Sequence, residues 1–398
     1  MTDTSRPVIR LKPRADARRI RHGHPWVFAD DLVLDRRARG LAPGTIAVLE
    51  DAERSPLGAV AVTPGSRIGA RMLDADPAAE IDGAWIAARL SRALAHRARA
   101  YDAPFYRLVH AEADGLPGVV IDRFGAACVI QPNAAWADAR IEAFADALAG
   151  MGMAHILLNA SGRARTAEGL EGETRWLRGG LDAPVEVPMN GAIYLADLAG
   201  GQKTGLFYDQ RPNHALVAGL ARGASVLDVF AHVGGFGLAA LAGGAASALA
   251  VDGSAPALAL AEQGAGAMGA SDRFATRRGD AFDVMAALAT EEARFGIVVA
   301  DPPAFAPAKP ALTAGLRAYE RVARLAAPLV APGGYLTVCS CSHAAELSKF
   351  RAASIRGIGR GGRAAQLIHT GFAGPDHPVH PQLAESGYLK ALTFRMLD

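Results

Sequence analysis

Cysteine is nearly absent: Cys128, Cys339 and Cys341 are the only three in 398 residues. So sparse and odd a set excludes a disulfide framework and fits a reducing compartment. It also excludes a cysteine-built zinc site, because Cys339-x-Cys341 with one nearby histidine lacks metal-ligand spacing. No uncharged apolar run reaches membrane-spanning length, and the start M-T-D-T-S-R-P has no apolar signal region. The expected setting is the cytoplasm, with no membrane partner and no metal. A dominant charge is lacking too: 42 basic and 40 acidic residues leave a net charge of +2. Overall charge therefore does not diagnose nucleic-acid binding, and any basic surface must be local.

Apolar residues make up 51% of the chain and charged residues 21%, so a packed globular protein of two or three domains is expected. From Arg6 to Asp76, short alternating segments broken by glycine and proline predict a small β-barrel, residues 1–78. They read V-I-R-L-K, P-W-V-F, G-T-I-A-V-L-E, G-A-V-A-V and I-G-A-R-M-L. The early basic residues Arg10, Lys12, Arg14, Arg18, Arg19, Arg21, His22 and His24 read equally well as a solvated face or a phosphate-contacting edge. Ile81–Tyr101 has helical periodicity. Strands separated by D-G, P-G and F-G, a helix near Ala135–Ala149 and a strand at His155–Asn159 complete a central α+β module over 79–185. Cys128 is expected to pack in its core. Leu181–Pro188, with two prolines, reads as a link. Over 186–398, apolar strands alternate with Ala/Leu-rich helices, which predicts a doubly wound, mostly parallel α/β sheet. A short helix at Leu238–Leu241 and a basic loop at Arg356–Arg363 are expected within it.

Four apolar runs of that last region end in polar or glycine-rich turns, and ligands of open α/β sheets collect beyond such ends. The first places Asp228 at a strand end and Gly234 and Gly235 before a helix, where backbone can approach a ligand closely. The spacing is not G-x-G-x-x-G, so NAD is not the natural ligand. Asp252 ends the next strand about 20 residues on, where an acidic group can hold ribose hydroxyls. Asp280 in G-D-A-F-D suits an adenine edge, and D-P-P-A-F at Asp301–Phe305 presents a carboxylate stiffened by Pro302 and Pro303. T-V-C-S-C-S-H at Thr337–His343 ends a further strand with two thiols. An adenosine-type cofactor with a thiol beside it is the reading these turns support.

D-P-P in this setting resembles the class I S-adenosylmethionine-dependent methyltransferases. The closer resemblance is to bacterial 23S ribosomal RNA cytosine-C5 methyltransferases with an amino-terminal PUA domain, and it covers almost the whole chain. It rests on R-R-I-R-H-G-H-P-W-V-F (Arg18–Phe28), A-E-A-D-G-L-P-G-V-V-I-D-R-F-G (Ala111–Gly125) and G-Q-K-T-G-L-F-Y-D-Q-R-P-N (Gly201–Asn213). F-A-H-V-G-G-F, D-P-P-A-F, C-S-C-S, D-H-P-V (Asp376–Val379) and G-Y-L-K (Gly387–Lys390) extend it. The chain departs from the family's pattern at His232 and Val233 and at R-P-N-H, which ends in His214.

The resemblance implies a Rossmann-like methyltransferase domain after a PUA-like barrel and the central module. It implies S-adenosylmethionine as cofactor and ribosomal RNA as partner, and it is compatible with a homodimer. Cytosine C5 is a poor nucleophile until a thiolate adds at C6, so a cysteine is required. The resemblance gives that role to Cys341, with Cys339 as strand-end packing and Asp301 bonded to the ring at N3. Cofactor contacts are expected from Asp209, Gln210, Asp228, Phe230, His232, Gly234, Gly235, Phe236, Asp252, Gly253, Asp280, Ala281, Asp301 and Pro302. Substrate contacts are expected from Lys203, Arg211, Pro303, Phe305, Arg21 and Trp26. Two other readings stay open: a guanine N-methyltransferase, which needs no thiol, and an RNA-binding protein with a degenerate cofactor fold.

Overall fold

The computed structural model describes residues 6–201 and 205–398. The chain forms two compact units, one of residues up to Asp182 with Pro375–Ala384, the other of Ala183–Gly374 with Glu385–Asp398.

In the first unit, β1 (Val8–Arg10), β2 (Trp26–Val27), β3 (Thr45–Glu50), β4 (Pro56–Val62) and β5 (Ala70–Asp74) form a sheet in the order β1-β3-β4-β5-β2. Ile9, Val27, Leu49, Val60 and Val62 share a small core with Ile20 of α1 (Ala17–Arg21) and Ala38 of α2 (Arg36–Arg39). The alternation legible in sequence is this pleat. Helix α3 (Gly83–Ala100), capped by Asp82 on the Trp85 N–H at 2.8 Å, packs over a second sheet. Its strands β6 (Phe105–His110), β7 (Val119–Phe124), β8 (Ala127–Pro132), β9 (His155–Leu158) and β10 (Arg175–Arg178) run in simple succession. The helix expected near Ala135–Ala149 is two, α4 (Ala135–Asp138) and α5 (Ile141–Gly150). Arg140 between them takes φ −118° and donates to the carbonyls of Ile81 and Trp136. A short helix, α6 (Arg163–Ala167), precedes β10.

The D-H-P-V run also belongs to this unit. Asp376 is fully buried, accepting from Tyr101 Oη at 3.0 Å and the Arg107 N–H at 3.1 Å, while its carbonyl accepts from Arg97 at 2.8 Å. A carboxylate so placed is tolerable only with such donors.

The second unit opens with a hairpin, β11 (Val185–Met189) and β12 (Ala192–Ala196), so part of the expected link is a strand. A two-stranded ribbon has the open edge that Pro188 needs. The main sheet contains β13 (Ser225–Val229), β14 (Ser247–Asp252), β15 (Phe274–Arg278), β16 (Phe295–Ala300), β17 (Val330–Ser340), β18 (Ala365–Gly371) and β19 (Lys390–Met396). Their order is β15-β14-β13-β16-β17-β19-β18, parallel from β15 to β17 and antiparallel beyond. Strand order reverses between β13 and β16, and a doubly wound sheet opens its binding crevice at such a reversal.

The helices are α7 (Arg211–Leu220), α8 (Gly235–Ala242), α9 (Ala255–Ala267), α10 (Ala281–Thr290), α11 (Leu312–Ala326) and α12 (Leu347–Arg360). Leu227, Val229, Val298, Leu336 and Val338 pack one sheet face against Met285, Val322 and Phe350 of α10, α11 and α12. The pleat then turns Asp228, Thr337 and Cys339 to the opposite face. Two expectations need correction. Helix α8 begins at Gly235 rather than at Leu238, and Arg356–Arg360 is the end of α12 rather than a loop. Among the described residues, no helix is long and apolar enough to cross a membrane.

Candidate active site

Beyond β13, three residues in five are left-handed: Phe230 at φ 65°, His232 at φ 51° and Gly234 at φ 80°. Each non-glycine residue held there costs about 1–3 kcal/mol, so neighbouring bonds must impose the shape. The Ala231 N–H donates to Val251 O at 3.0 Å, and the Gly234 N–H to Ala231 O at 2.8 Å. The His232 N–H donates to Asp252 Oδ2 at 2.9 Å, and the Ser254 N–H to Asp252 Oδ1 at 2.8 Å. Asp252, expected at a ribose, thus also fixes the glycine turn; each of its oxygens keeps a second acceptor position. Gly253 beside it is open, since a Cβ there would meet nothing nearer than Gly279 O at 4.0 Å.

Asp228 lies beneath the turn, 1% exposed. Its Oδ2 accepts from the Phe236 N–H at 3.1 Å and the Gly237 N–H at 2.8 Å, while Oδ1 has no hydrogen-bond partner among the described residues. Burial pushes this carboxyl up to about 7, the two N–H bonds opposing and Asp252 adding to it. Phe236 is buried, its ring 4.4 Å from that of His214. Tyr194 Oη donates to Gly235 O at 3.0 Å. Asp228 and the Phe236 ring, both expected against the cofactor, therefore brace the turn from below. A Cβ on Gly235 would lie 2.9 Å from His214 Nε2, which explains a second glycine there.

His214 is buried, and its Nδ1 has no hydrogen-bond partner among the described residues. Burial first, then the charge of Arg211, pulls it from 6.5 to about 3. The unfolded chain takes up this proton first as pH falls. The stability His214 permits is therefore complete above about pH 6.5 and is lost as pH falls toward 3. His214→Phe, which keeps a ring in place, should flatten the fall in melting temperature between pH 6.5 and about 4. Parallel curves for parent and variant would exclude His214 as the titrating group.

Asp280, at the next strand end, caps α10 through Oδ1, which accepts from the Phe282 N–H at 2.9 Å and the Asp283 N–H at 3.2 Å. Asp280 stays exposed, and Ala281 is buried as the first residue of the helix. The Asp301 N–H donates to Val229 O at 3.2 Å across the strand-order reversal. Pro302 after it is buried and Pro303 exposed. Phe305 packs on Tyr319 at 5.0 Å and on Phe282 at 6.3 Å, and Phe282 meets Phe230 at 6.2 Å. An aromatic row thus runs beneath the turns from β13 to β16.

The two cysteines differ in setting. Cys339 is fully buried; burial, then Asp301, pushes its thiol well up, and the Gln210 amide opposes them. Cys341 is half-buried at the end of β17. Its turn is pinned from two sides. Ser342 Oγ accepts from the Ala306 N–H at 3.0 Å and shares a hydrogen bond with Tyr319 Oη at 2.8 Å, tying this turn to D-P-P-A-F. Lys390, 5% exposed, donates through Nζ to Ser342 O at 2.8 Å and Ala345 O at 2.9 Å. Burial lowers the Lys390 ammonium, and Cys341 opposes that shift, so the two groups sense each other. Lys390, Ser342 and Tyr319 were absent from the sequence-predicted site. Lys390 and Ser342 lie in the motifs G-Y-L-K and C-S-C-S without having been given a role, and no motif marked Tyr319.

At the start of α7, buried Asp209 accepts from Tyr388 Oη at 2.8 Å, and Gln210 Oε1 accepts from Asn213 Nδ2 at 2.6 Å. The Arg211 guanidinium lies 5.6 Å from the Tyr208 ring. Lys203 lies outside the described residues. In the first unit, Arg21 pairs with Asp51. Trp26 Nε1–H donates to Glu112 Oε1 at 2.8 Å, so the indole expected among the substrate contacts is anchored within its own unit.

A family model described as S-adenosylmethionine-dependent methyltransferase matches residues 131–395, and one described as PUA-like domain matches residues 9–75. The chain is 34% identical over 397 residues to the Ribosomal RNA large subunit methyltransferase I of Shewanella denitrificans, covering 98% of this chain and 99% of that one. It is 33% identical over 407 residues to the Ribosomal RNA large subunit methyltransferase of Deinococcus radiodurans, covering 99% and 98%. A solved structure of a SAM-dependent methyltransferase from Streptococcus mutans is similar in fold, with TM-score 0.81 at 18% identity over 98% of this chain and 100% of that one.

Proposed function

This chain belongs to the S-adenosylmethionine-dependent methyltransferase family, and on that premise we propose that it methylates C5 of a cytosine in large-subunit ribosomal RNA, with Cys341 as nucleophile. The observation that carries the reading is the contrast among its thiols. Cys128 and Cys339 are buried, whereas Cys341 is partly open on a braced turn at the end of the strand beside Asp301.

The left-handed glycine turn, the open space at Gly253 and the unpartnered Asp228 Oδ1 all fit S-adenosylmethionine. Gly234, Gly235, Asp252, Gly253 and Asp280 would hold it. When bound, it supplies an electrophilic sulfonium methyl. Cys341 Sγ, as thiolate, adds to C6 of the ring, and the C5–C6 double-bond pair moves to C5, which accepts the methyl. Loss of the C5 proton re-forms the double bond and expels the thiolate, so the cysteine is regenerated. Asp301 would share a proton with N3 and so offset charge as sulfur adds. Extruding the base costs a few kcal/mol. The exposed Arg14, Arg18 and Arg21 of the barrel can help to offset that cost by gripping backbone.

Lys390 supports the thiolate, since a nearby ammonium favours the charged form of sulfur. Lys390→Gln should therefore move the acid limb of the activity–pH profile upward, and Lys390→Arg should restore part of the shift. A profile unchanged by Lys390→Gln would remove Lys390 from this role.

The reading is tested by mapping methyl groups on large-subunit ribosomal RNA from cells lacking this gene. One 5-methylcytosine should disappear, return with the parent gene and stay absent with Cys341→Ala. An unaltered map would overturn the proposal.

A further inference from the structure

The run R-G-I-G-R-G-G-R takes no part in the chemistry above, yet two of its arginines, Arg356 and Arg360, line a groove with a second set on the neighbouring helix. Arg356 and Arg360, four apart on α12 and therefore on one face, both pair with Glu320 of α11. Arg317, Arg321 and Arg324 are exposed along α11. Gly357 lets the helices close: a Cβ there would come 2.4 Å from Glu320 O and 2.7 Å from Ala323 Cβ. The outcome is a groove of about 580 Å³ lined by the five arginines, with Glu320 as the only carboxylate among its lining residues.

Five guanidinium groups facing one carboxylate repel one another until an anion offsets them. Arg321 lies over Phe282, 4.4 Å from the ring centroid, and a stacked guanidinium keeps its N–H edge for an acceptor. From Arg317 to Arg324 the helix rises roughly 10 Å at 1.5 Å per residue, enough for more than one phosphate. Arginine forks match phosphate oxygens two at a time.

We infer that the α11/α12 groove binds the phosphodiester backbone of RNA. This rests on the RNA-methylating reading and adds a grip on the helices that follow the D-P-P-A-F and C-S-C-S turns. The test uses the full chain, with in vitro transcribed large-subunit ribosomal RNA as probe. Arg317→Gln with Arg324→Gln should weaken binding roughly tenfold and make log affinity against log salt shallower by about 1.4, at roughly 0.7 for each phosphate no longer neutralised. KM for RNA should rise with kcat at saturation unchanged, while the corresponding lysine pair recovers most of the affinity. Circular dichroism and S-adenosylmethionine calorimetry should match the parent.

Equal RNA affinity and salt slope in parent and glutamine variant overturns the inference and leaves the methyltransferase reading intact. Weaker binding with an unchanged slope also overturns it, because a phosphate-binding arginine must release counterions. A parent chain that neither binds nor methylates this RNA overturns both.

Discussion

Cys341→Ser should abolish methyl transfer, lowering kcat by at least about ten-thousand-fold, the scale on which enzymes lose turnover with their nucleophile. An alkoxide is too costly to form at neutral pH, and without a bond to C6 the C5 carbon has no electron pair to offer. S-adenosylmethionine affinity, measured by calorimetry, should stay within a few-fold of the parent, since Asp228 and Asp252 hold the turns after β13 and β14. Cys339→Ser is the matched control. That side chain is fully buried and its thiol is held in the neutral form by burial and by Asp301. Its replacement should cost stability and only modest turnover. If Cys339→Ser were the variant that lost all turnover and Cys341→Ser retained it, the assignment would be reversed.

Asp301→Asn should lower kcat by about a hundred- to ten-thousand-fold, the range for removing a positioned acid or base. The backbone N–H bond of residue 301 to Val229 O persists in the variant, so the turn should keep its shape. An amide cannot share a proton with N3, so charge building on the ring would go unanswered as sulfur adds. The loss should appear in kcat, with S-adenosylmethionine affinity much less affected. A variant whose only defect is weak cofactor binding would move Asp301 from the chemistry to the cofactor.

Much of the fold was legible because its signals are periodic. The barrel strands alternate, and β13, β14 and β16 are apolar runs with Asp228, Asp252 and Asp301 at or near their carboxyl ends, so these strand ends could be located from sequence. What escaped was non-periodic or decided by tertiary packing. Pro375–Ala384 is a short segment without helix or strand pattern, and its place in the first unit follows from donors on Arg97, Tyr101 and Arg107. The glycines of R-G-I-G-R-G-G-R suggested a loop, since each costs about 1 kcal/mol in a helix. Close packing of Gly357 on α11 outweighs that cost. At the glycine turn, the spacing of Asp228 and Phe236 did not reveal that Asp228 accepts from the Phe236 and Gly237 N–H groups beneath it. Lys390 reaches the cysteine turn only through the antiparallel pairing of β19 with β17, a partnership that a single apolar strand does not announce.

The most direct test offers the enzyme RNA carrying 5-fluorocytidine together with S-adenosylmethionine. Fluorine at C5 cannot leave as a proton, so the thioether formed at C6 should persist through denaturing electrophoresis. Peptide mass mapping should then place the RNA on Cys341, and the Cys341→Ala chain should form no such species. Turnover of ordinary RNA by the parent without any trapped adduct, or an adduct carried by Cys339, would contradict the account.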